Sequence, residues 1–228
     1  LKSTMVPGTT NNFTKQFPKL NIVFNPEFLT ERTAKLDFLT QARIILGGTK
    51  RLTKKVAKLF EERFQHCYVI ETDTVTAEMI KYMNNVYFAS KVSIMNEMKL
   101  MCDAVGADWT KALTGFAADQ RIGDSHLNVP GPDGKLGFGG SCFPKDINAF
   151  ISMANELGVK IPTVEGAWKT NLNVRPERDW EKLEGRAIVK KTKTKEWFDQ
   201  DPGSTDAKLQ HIIDDPDEDN FCILTGAC

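Results

Sequence analysis

Between residues 76 and 105 the chain places Met, Ile, Val, Tyr and Phe at nearly every angle around one long helix. A helix that is apolar all round cannot turn one face to water, so it must be covered by other helices or by a second subunit. This stretch commits the middle of the chain to a helical domain and points to a homodimer formed through the same helix. Thr76 suits its N-cap, Glu78 suits the positive end of its first turn, and Gly106 stops it. Asp108 is placed to cap a short helix ending at Phe116. Further helices are expected over 147–157, closed by Gly158, and over 163–174.

The sequence before the long helix has a different character. Residues 11–18 read as a short polar helix ending at Pro18. Residues 20–24, 43–46 and 67–70 read as short apolar strands stopped by turn residues. Residues 49–65 have the helical period, with Leu52, Val56, Leu59, Phe60 and Phe64 on one side and lysines on the other. Strand, helix and strand at this spacing form a parallel α/β pattern. The domain boundary is placed near Thr74, giving an α/β part over 1–73, a helical part over 74–174 and a linker with tail over 175–228. In that last part, 187–189 could form one strand, 196–219 is acidic and reads as a solvated tail, and 221–228 is apolar but short.

Composition excludes several classes of function. Of 228 residues, 41% are apolar, enough for a sizeable core. Thirty basic residues balance thirty acidic ones, so no nucleic-acid footprint is expected. No apolar run reaches membrane-spanning length, and no signal peptide is visible. Five scattered cysteines form neither a disulfide framework nor a zinc pattern. A reducing, cytoplasmic setting is the simplest reading.

The densest chemistry lies in Leu136-Gly137-Phe138-Gly139-Gly140-Ser141-Cys142-Phe143-Pro144-Lys145-Asp146. Glycines let backbone approach a ligand, and a cysteine beside a cation can act as a nucleophile. Cys142 is either that nucleophile or a small buried hydrophobe. Asp146 either caps a helix starting at Ile147 or handles protons.

Three other groups stand out. Asn25-Pro26-Glu27-Phe28-Leu29-Thr30-Glu31 follows a strand at the edge where α/β proteins bind ligands. Its carboxylates, Glu27 and Glu31, serve base chemistry or are simply solvated. Lys81 and Asn85 are an i,i+4 pair on the long helix. Lys81 either snorkels to water or joins Asn85 in aiming donors at a developing oxyanion. Arg121, within Asp119-Gln120-Arg121-Ile122-Gly123, is by itself an ordinary surface residue, and His126 reads as a loop histidine.

The run from Gly137 to Asp146 resembles the active-site cysteine signature of the UDP-glucose/GDP-mannose dehydrogenase family. Residues 25–31 and 77–97 resemble two further motifs of that family, in its order and at about its spacing; together the resemblance covers about residues 1–180. Phe143, after the cysteine, falls on the UDP-glucose side of the family. The resemblance implies the C-terminal part of a Rossmann-like parallel-sheet domain, followed by an all-helical central dimerisation domain. It also implies NAD-dependent, four-electron oxidation of UDP-glucose to UDP-glucuronate through a thiohemiacetal and a thioester on Cys142. Lys81 and Asn85 would then stabilise the oxyanion. Thr4 and Asp146 would place the hydrolytic water, and Glu27 would assist it. Phe28, Leu29, Lys81, Asn85, Gly137, Phe138 and Gly139 would bind the nucleotide sugar, and Arg121 would reach the one held by the neighbouring subunit. Thr4, Glu31 and Lys145 would touch the cofactor, and no metal is implied.

The chain departs from the family pattern in two places. Arg32 stands where a glycine is usual, and a Pro/Gly-rich insertion follows His126. No Gly-x-Gly-x-x-Gly follows a leading strand, and residues 2–10 read as the exit of a strand, so the chain is expected to begin inside a domain. The 228 residues taken alone are accordingly expected to be inactive, holding NAD weakly and UDP-glucose residually. Two other readings stand beside this one: a dehydrogenase for another nucleotide sugar such as GDP-mannose, and a non-catalytic dimerisation module.

Overall fold

A computed structural model describes residues 1–30 and 32–183 of the chain. Glu31 and the expected strand and tail over 187–228 lie outside the described residues. Two compact units divide within the long helix, one of them Leu1–Lys81 and the other beginning at Tyr82.

In the first unit, β1 (Arg43–Gly47) and β2 (Tyr68–Thr72) pair in parallel, with Ile45 opposite Ile70. Helix α3 (Lys50–Arg63) crosses between them, as a parallel pair requires. Successive side chains of β1 point to opposite faces. Ile44 and Leu46 pack with Ala57 and Phe64 on the α3 side, while Ile45 packs with Phe24 and Ala77 on the other. β1 is therefore buried on both faces, which explains its unbroken apolar run. Gly47 ends β1 against the start of the long helix, where an added Cβ would lie 2.5 Å from Cβ of Ala77.

The strand expected over 20–24 is reduced to one bridge. Phe24 and Gly47 exchange two backbone hydrogen bonds of 2.8 and 2.7 Å, in the antiparallel sense. On the other side the Leu1 backbone nitrogen donates to the Val23 carbonyl, and the Asn25 N–H donates to the Leu1 carbonyl, both at 2.7 Å. The segment is too short to pair further. The Leu20 N–H still turns back to the Phe17 carbonyl, and Pro26 has no N–H to offer. The short helices α1 (Thr9–Gln16) and α2 (Ala34–Leu39) flank this bridge in sequence.

Helix α4 runs over Thr74–Val105. Its N-terminal cap is Asp73 and not Thr76: the Asp73 carboxylate accepts from the Thr76 N–H at 2.9 Å and from its hydroxyl at 2.6 Å. Asp is as good a cap as Thr and sits where the chain leaves β2. Glu78 does not sit free in the first turn. It is fully buried and accepts from the Gly8 N–H (2.6 Å), the Thr10 N–H (2.8 Å) and the Thr10 hydroxyl (2.7 Å). A carboxylate on α4 thus satisfies the free N–H groups that open α1.

The second unit contains the rest of α4, α5 (Trp109–Ala117), α6 (Cys142–Glu156), α7 (Pro162–Val174) and a 3-10 turn over Asp179–Lys182. Asp108 caps α5 as expected, its carboxylate accepting from the Lys111 N–H. Helix α6 begins at Cys142, five residues earlier than Ile147, so Asp146 lies within the helix and is not its cap. Ala89, Phe138, Ile147 and Ala167 form the core between α4, α6 and α7. The Ser93 hydroxyl donates to the Ala167 carbonyl at 2.7 Å, a close approach that small residues on both helices permit. The 123–140 loop is not loose: Leu127 and Val129 are buried with Met95, and the Trp109 indole donates to the Val129 carbonyl. Met83, Tyr87, Ile94, Met98 and Met101 of α4 are each about half exposed or more. Among the described residues no helix is long and apolar enough to cross a membrane.

Candidate active site

The loop leaving Phe24 is fixed from both sides. The Asn25 side chain donates to the Ile45 carbonyl at 2.8 Å, and the Lys2 ammonium donates to the Asn25 side-chain oxygen at 2.9 Å. Lys2 also pairs with the Glu27 carboxylate at 3.2 Å, and that carboxylate accepts from the Phe28 N–H. Glu27 is therefore held within its own loop and not freely solvated.

Lys81 reaches the same loop from α4. It is only 7% exposed, so the snorkelling alternative does not describe it. Its ammonium donates to the Glu27 carbonyl and lies 5.3 Å from the centre of the Phe28 ring. The Arg43 guanidinium lies 4.8 Å from the same ring. Phe28 thus offers its π face to two cations, which keeps positive charge at a half-buried place. Leu29 and Thr4 are half-buried in the same unit, although among the described residues no strand precedes Thr4 and only the Phe24 bridge precedes Leu29.

In the second unit, Asn85 lies one turn along α4 from Lys81. Its side-chain amide donates to Asp146 Oδ2 at 2.5 Å, and both residues are buried. The Lys145 ammonium is 3.3 Å from the other oxygen, Asp146 Oδ1. Asp146 is one turn along α6 from Cys142, which is half-buried, with the Ser141 hydroxyl 3.8 Å from its sulfur. A thiol on the first residue of a helix, a buried carboxylate and an ammonium are thus held on one element. These are parts that nucleophilic catalysis uses.

The Gly-rich run has a second role that the sequence pattern did not show. Gly137 has φ +66°, and an added Cβ would fall on the Asn171 side-chain oxygen; at Gly139 it would fall on Arg175. These two glycines let the loop press against its own domain. Phe138 is buried in the core and packs edge-on to Phe143, with ring centres 6.0 Å apart. Asn96, Asn171, Arg175 and Asp179 hold this loop. Buried amides in helices carry no sequence pattern that would have singled them out.

Arg121 is exposed and forms a short ion pair with Asp119, whose hydrogen bonds hold the guanidinium pKa above its ordinary value. His126 lies in the loop, as expected, and is packed there. Its backbone is left-handed (φ 62°), and its ring stacks on Phe88 with centres 4.2 Å apart. Burial, with a further contribution from Lys91, pushes its pKa below the usual histidine value.

Residues 1–66 match the family model of the UDP-glucose/GDP-mannose dehydrogenase NAD binding domain, and residues 75–173 match that of the family's central domain. The chain is 39% identical over 153 residues to UDP-glucose 6-dehydrogenase TuaD of Bacillus subtilis, across 66% of this chain and 32% of that protein. It is 38% identical over 191 residues to UDP-glucose 6-dehydrogenase AglM of Haloferax volcanii, across 78% and 43% respectively. Among solved structures, a UDP-glucose dehydrogenase from Pyrobaculum islandicum superposes with a TM-score of 0.69 at 31% identity, over 75% of this chain and 40% of that one. The chain therefore spans less than half the length of these relatives.

Proposed function

The chain belongs to the UDP-glucose/GDP-mannose dehydrogenase family, and from that premise we propose that it carries catalytic residues for NAD-dependent oxidation of UDP-glucose to UDP-glucuronate. The observation that carries this reading is the buried Asn85–Asp146 hydrogen bond, which ties α4 to the helix that opens with Cys142.

In this reading Phe28, Leu29 and Gly139 hold the sugar, with Arg121 reaching the nucleotide sugar of a second subunit; Gly137 and Phe138, expected to bind it too, instead shape the loop, since the Gly137 N–H and both Phe138 backbone groups are taken by Asn96 and Asn171. Lys81 and Asn85 supply donors to the C6 oxygen as negative charge develops on it. The C6 alcohol loses a hydride and a proton to become an aldehyde. The Cys142 thiolate then adds to the aldehyde carbon, and the oxygen takes a proton to give a thiohemiacetal. Loss of a second hydride and a proton leaves a thioester. Water placed by Thr4 and Asp146 gives a proton to the Glu27 carboxylate as its oxygen attacks that carbonyl, and a second proton passes to solvent. The C–S bond breaks, the thiolate returns and the carboxylate leaves. A thioester suits this sequence because it both forms and hydrolyses readily.

NAD, when bound, supplies the hydride acceptor for both oxidations. The hydroxyl of half-buried Thr4 and the part-exposed ammonium of Lys145 are groups that suit a nicotinamide carboxamide. Glu31 completes the set proposed for that side of the cofactor. The exposed apolar residues of α4, from Met83 to Met101, support a homodimer through this helix. Among the described residues, Cys67, Cys102 and Cys142 are not disulfide-bonded, in keeping with a cytoplasmic setting.

The test is an assay of the purified protein that carries this chain. Two NADH formed per UDP-glucuronate, with GDP-mannose inert, supports the reading. NADH formation with GDP-mannose alone, or none with either sugar, overturns it.

A further inference from the structure

The backbone from Leu136 to Gly140 is gripped at successive groups by side chains from elsewhere in its unit. The Leu136 carbonyl accepts from Arg175 at 3.2 Å. The Gly137 N–H donates to the Asn96 side-chain oxygen at 3.0 Å. Asn171 takes the whole of Phe138: its oxygen accepts from the Phe138 N–H at 2.7 Å, and its amide donates to the Phe138 carbonyl at 3.0 Å. The Gly140 N–H donates to Asp179 at 3.3 Å.

The gripping side chains are themselves fixed. Asn96 and Asn171 are 2% and 0% exposed. The second amide function of Asn96 donates to the Val92 carbonyl. Arg175 is buried and pairs with Asp179 at 2.7 Å and with Asp133, in the Pro/Gly-rich turn, at 2.6 Å. Two residues after the last gripped group comes Cys142, the first residue of α6. A loop without side-chain anchors would leave a helix-opening residue to fray. Three of the anchors, Asn96, Asn171 and Arg175, are buried polar groups whose own hydrogen bonds are lost if the loop moves, which makes the arrangement stiff.

We propose that Asn171 and Arg175 are positioning residues for Cys142: acting through the Leu136–Gly140 backbone, they hold the thiol in place from α7 and the residue that follows it. This deepens the functional reading above and rests on it for the thiol's role. The clamp itself is testable without activity.

The test is the rate of alkylation of three of the cysteines, Cys67, Cys102 and Cys142, by iodoacetamide at neutral pH, read by peptide mass spectrometry on the full chain. Cys67 and Cys102 serve as internal references. In Asn171→Ala, alkylation of Cys142 is expected to rise about tenfold while the other two hold, because only the clamped segment opens. General destabilisation would instead raise all three together. Arg175→Lys, which keeps the charge but loses the fork, is expected to give a smaller, equally selective rise. Asp133→Asn, at the half-exposed end of the network, serves where Asn171→Ala does not fold, and should raise Cys142 alkylation about threefold. A Cys142 rate within twofold of the parent in a folded variant, or a rise shared by all three cysteines, overturns the proposal. Failure of the parent protein to oxidise UDP-glucose bears on the functional reading and leaves this result intact.

Discussion

Asn85 on α4 donates its side-chain N–H to Oδ2 of Asp146 on α6 at 2.5 Å, with both residues buried. Neither is an ordinary core residue, and removing one leaves the other buried without that partner. Truncating Asn85 to Ala is expected to cost about 1–3 kcal/mol of stability. Asn85→Asp sets a second carboxylate against the first and should be worse, since two carboxylates at this distance repel. Urea unfolding of the three proteins checks the order.

The nucleophile assignment predicts a split outcome for Cys142→Ser. The first hydride transfer needs no thiol, so that half-reaction should survive, while overall turnover falls by about two orders of magnitude or more. Full four-electron turnover by the serine variant would remove Cys142 from the mechanism.

Lys81 is asked to do two things, and its replacement should show both. Lys81→Met keeps the stem but loses the donor to the Glu27 carbonyl and the charge over Phe28. The proposed oxyanion role predicts a loss in kcat of about 10²–10³-fold. If kcat is unchanged and only stability drops, Lys81 is structural.

Glu78 shows what the sequence could and could not convey. Its place near the start of a helix was legible, and the dipole argument for an acidic residue there is sound. Its actual partners, Gly8 and Thr10, are about 70 residues away and follow no local period. Glu78→Ala leaves two N–H groups at the start of α1 without their acceptor and is expected to cost about 2–3 kcal/mol. Thermal denaturation of the variant measures it, and a loss below about 0.5 kcal/mol would mean that water replaces the carboxylate.

The same distinction runs through the rest of the fold. The parallel strand pair, α3, α5 and the long helix were readable because period and caps are local signals. The start of α6 was read five residues late, because Pro144 looks like a break but is tolerated in a helix's first turn. The Asp73 cap was missed because Thr76 is an equally good cap by composition. In the candidate site, Cys142, Lys81, Asn85 and Asp146 were visible from spacing and resemblance. Asn96, Asn171 and Arg175 were not, since a polar residue inside an amphipathic helix announces no partner. The structure also gives the glycines at 137 and 139 a reason that the sequence hid, namely contact with Asn171 and Arg175.

The Arg175 network should make part of the stability dependent on pH. Burial alone would push the carboxyl pKa values of Asp133 and Asp179 up, yet the hydrogen bonds from Arg175 hold both below the ordinary carboxylate value. A group whose pKa is lower in the folded chain stabilises the fold at all pH above its unfolded value, about 3.9 for Asp. That stabilisation disappears as pH falls through the lower, folded value. Stability measured for the parent and for Asp133→Asn should therefore differ by a constant amount between pH 7 and about pH 5. The gap should narrow below about pH 4, because protonated Asp133 and asparagine are then alike in charge. Titration of both proteins by urea unfolding at each pH gives the gap directly. A difference that stays constant down to pH 2 would show that the loss comes from altered packing and not from the Asp133–Arg175 ion pair.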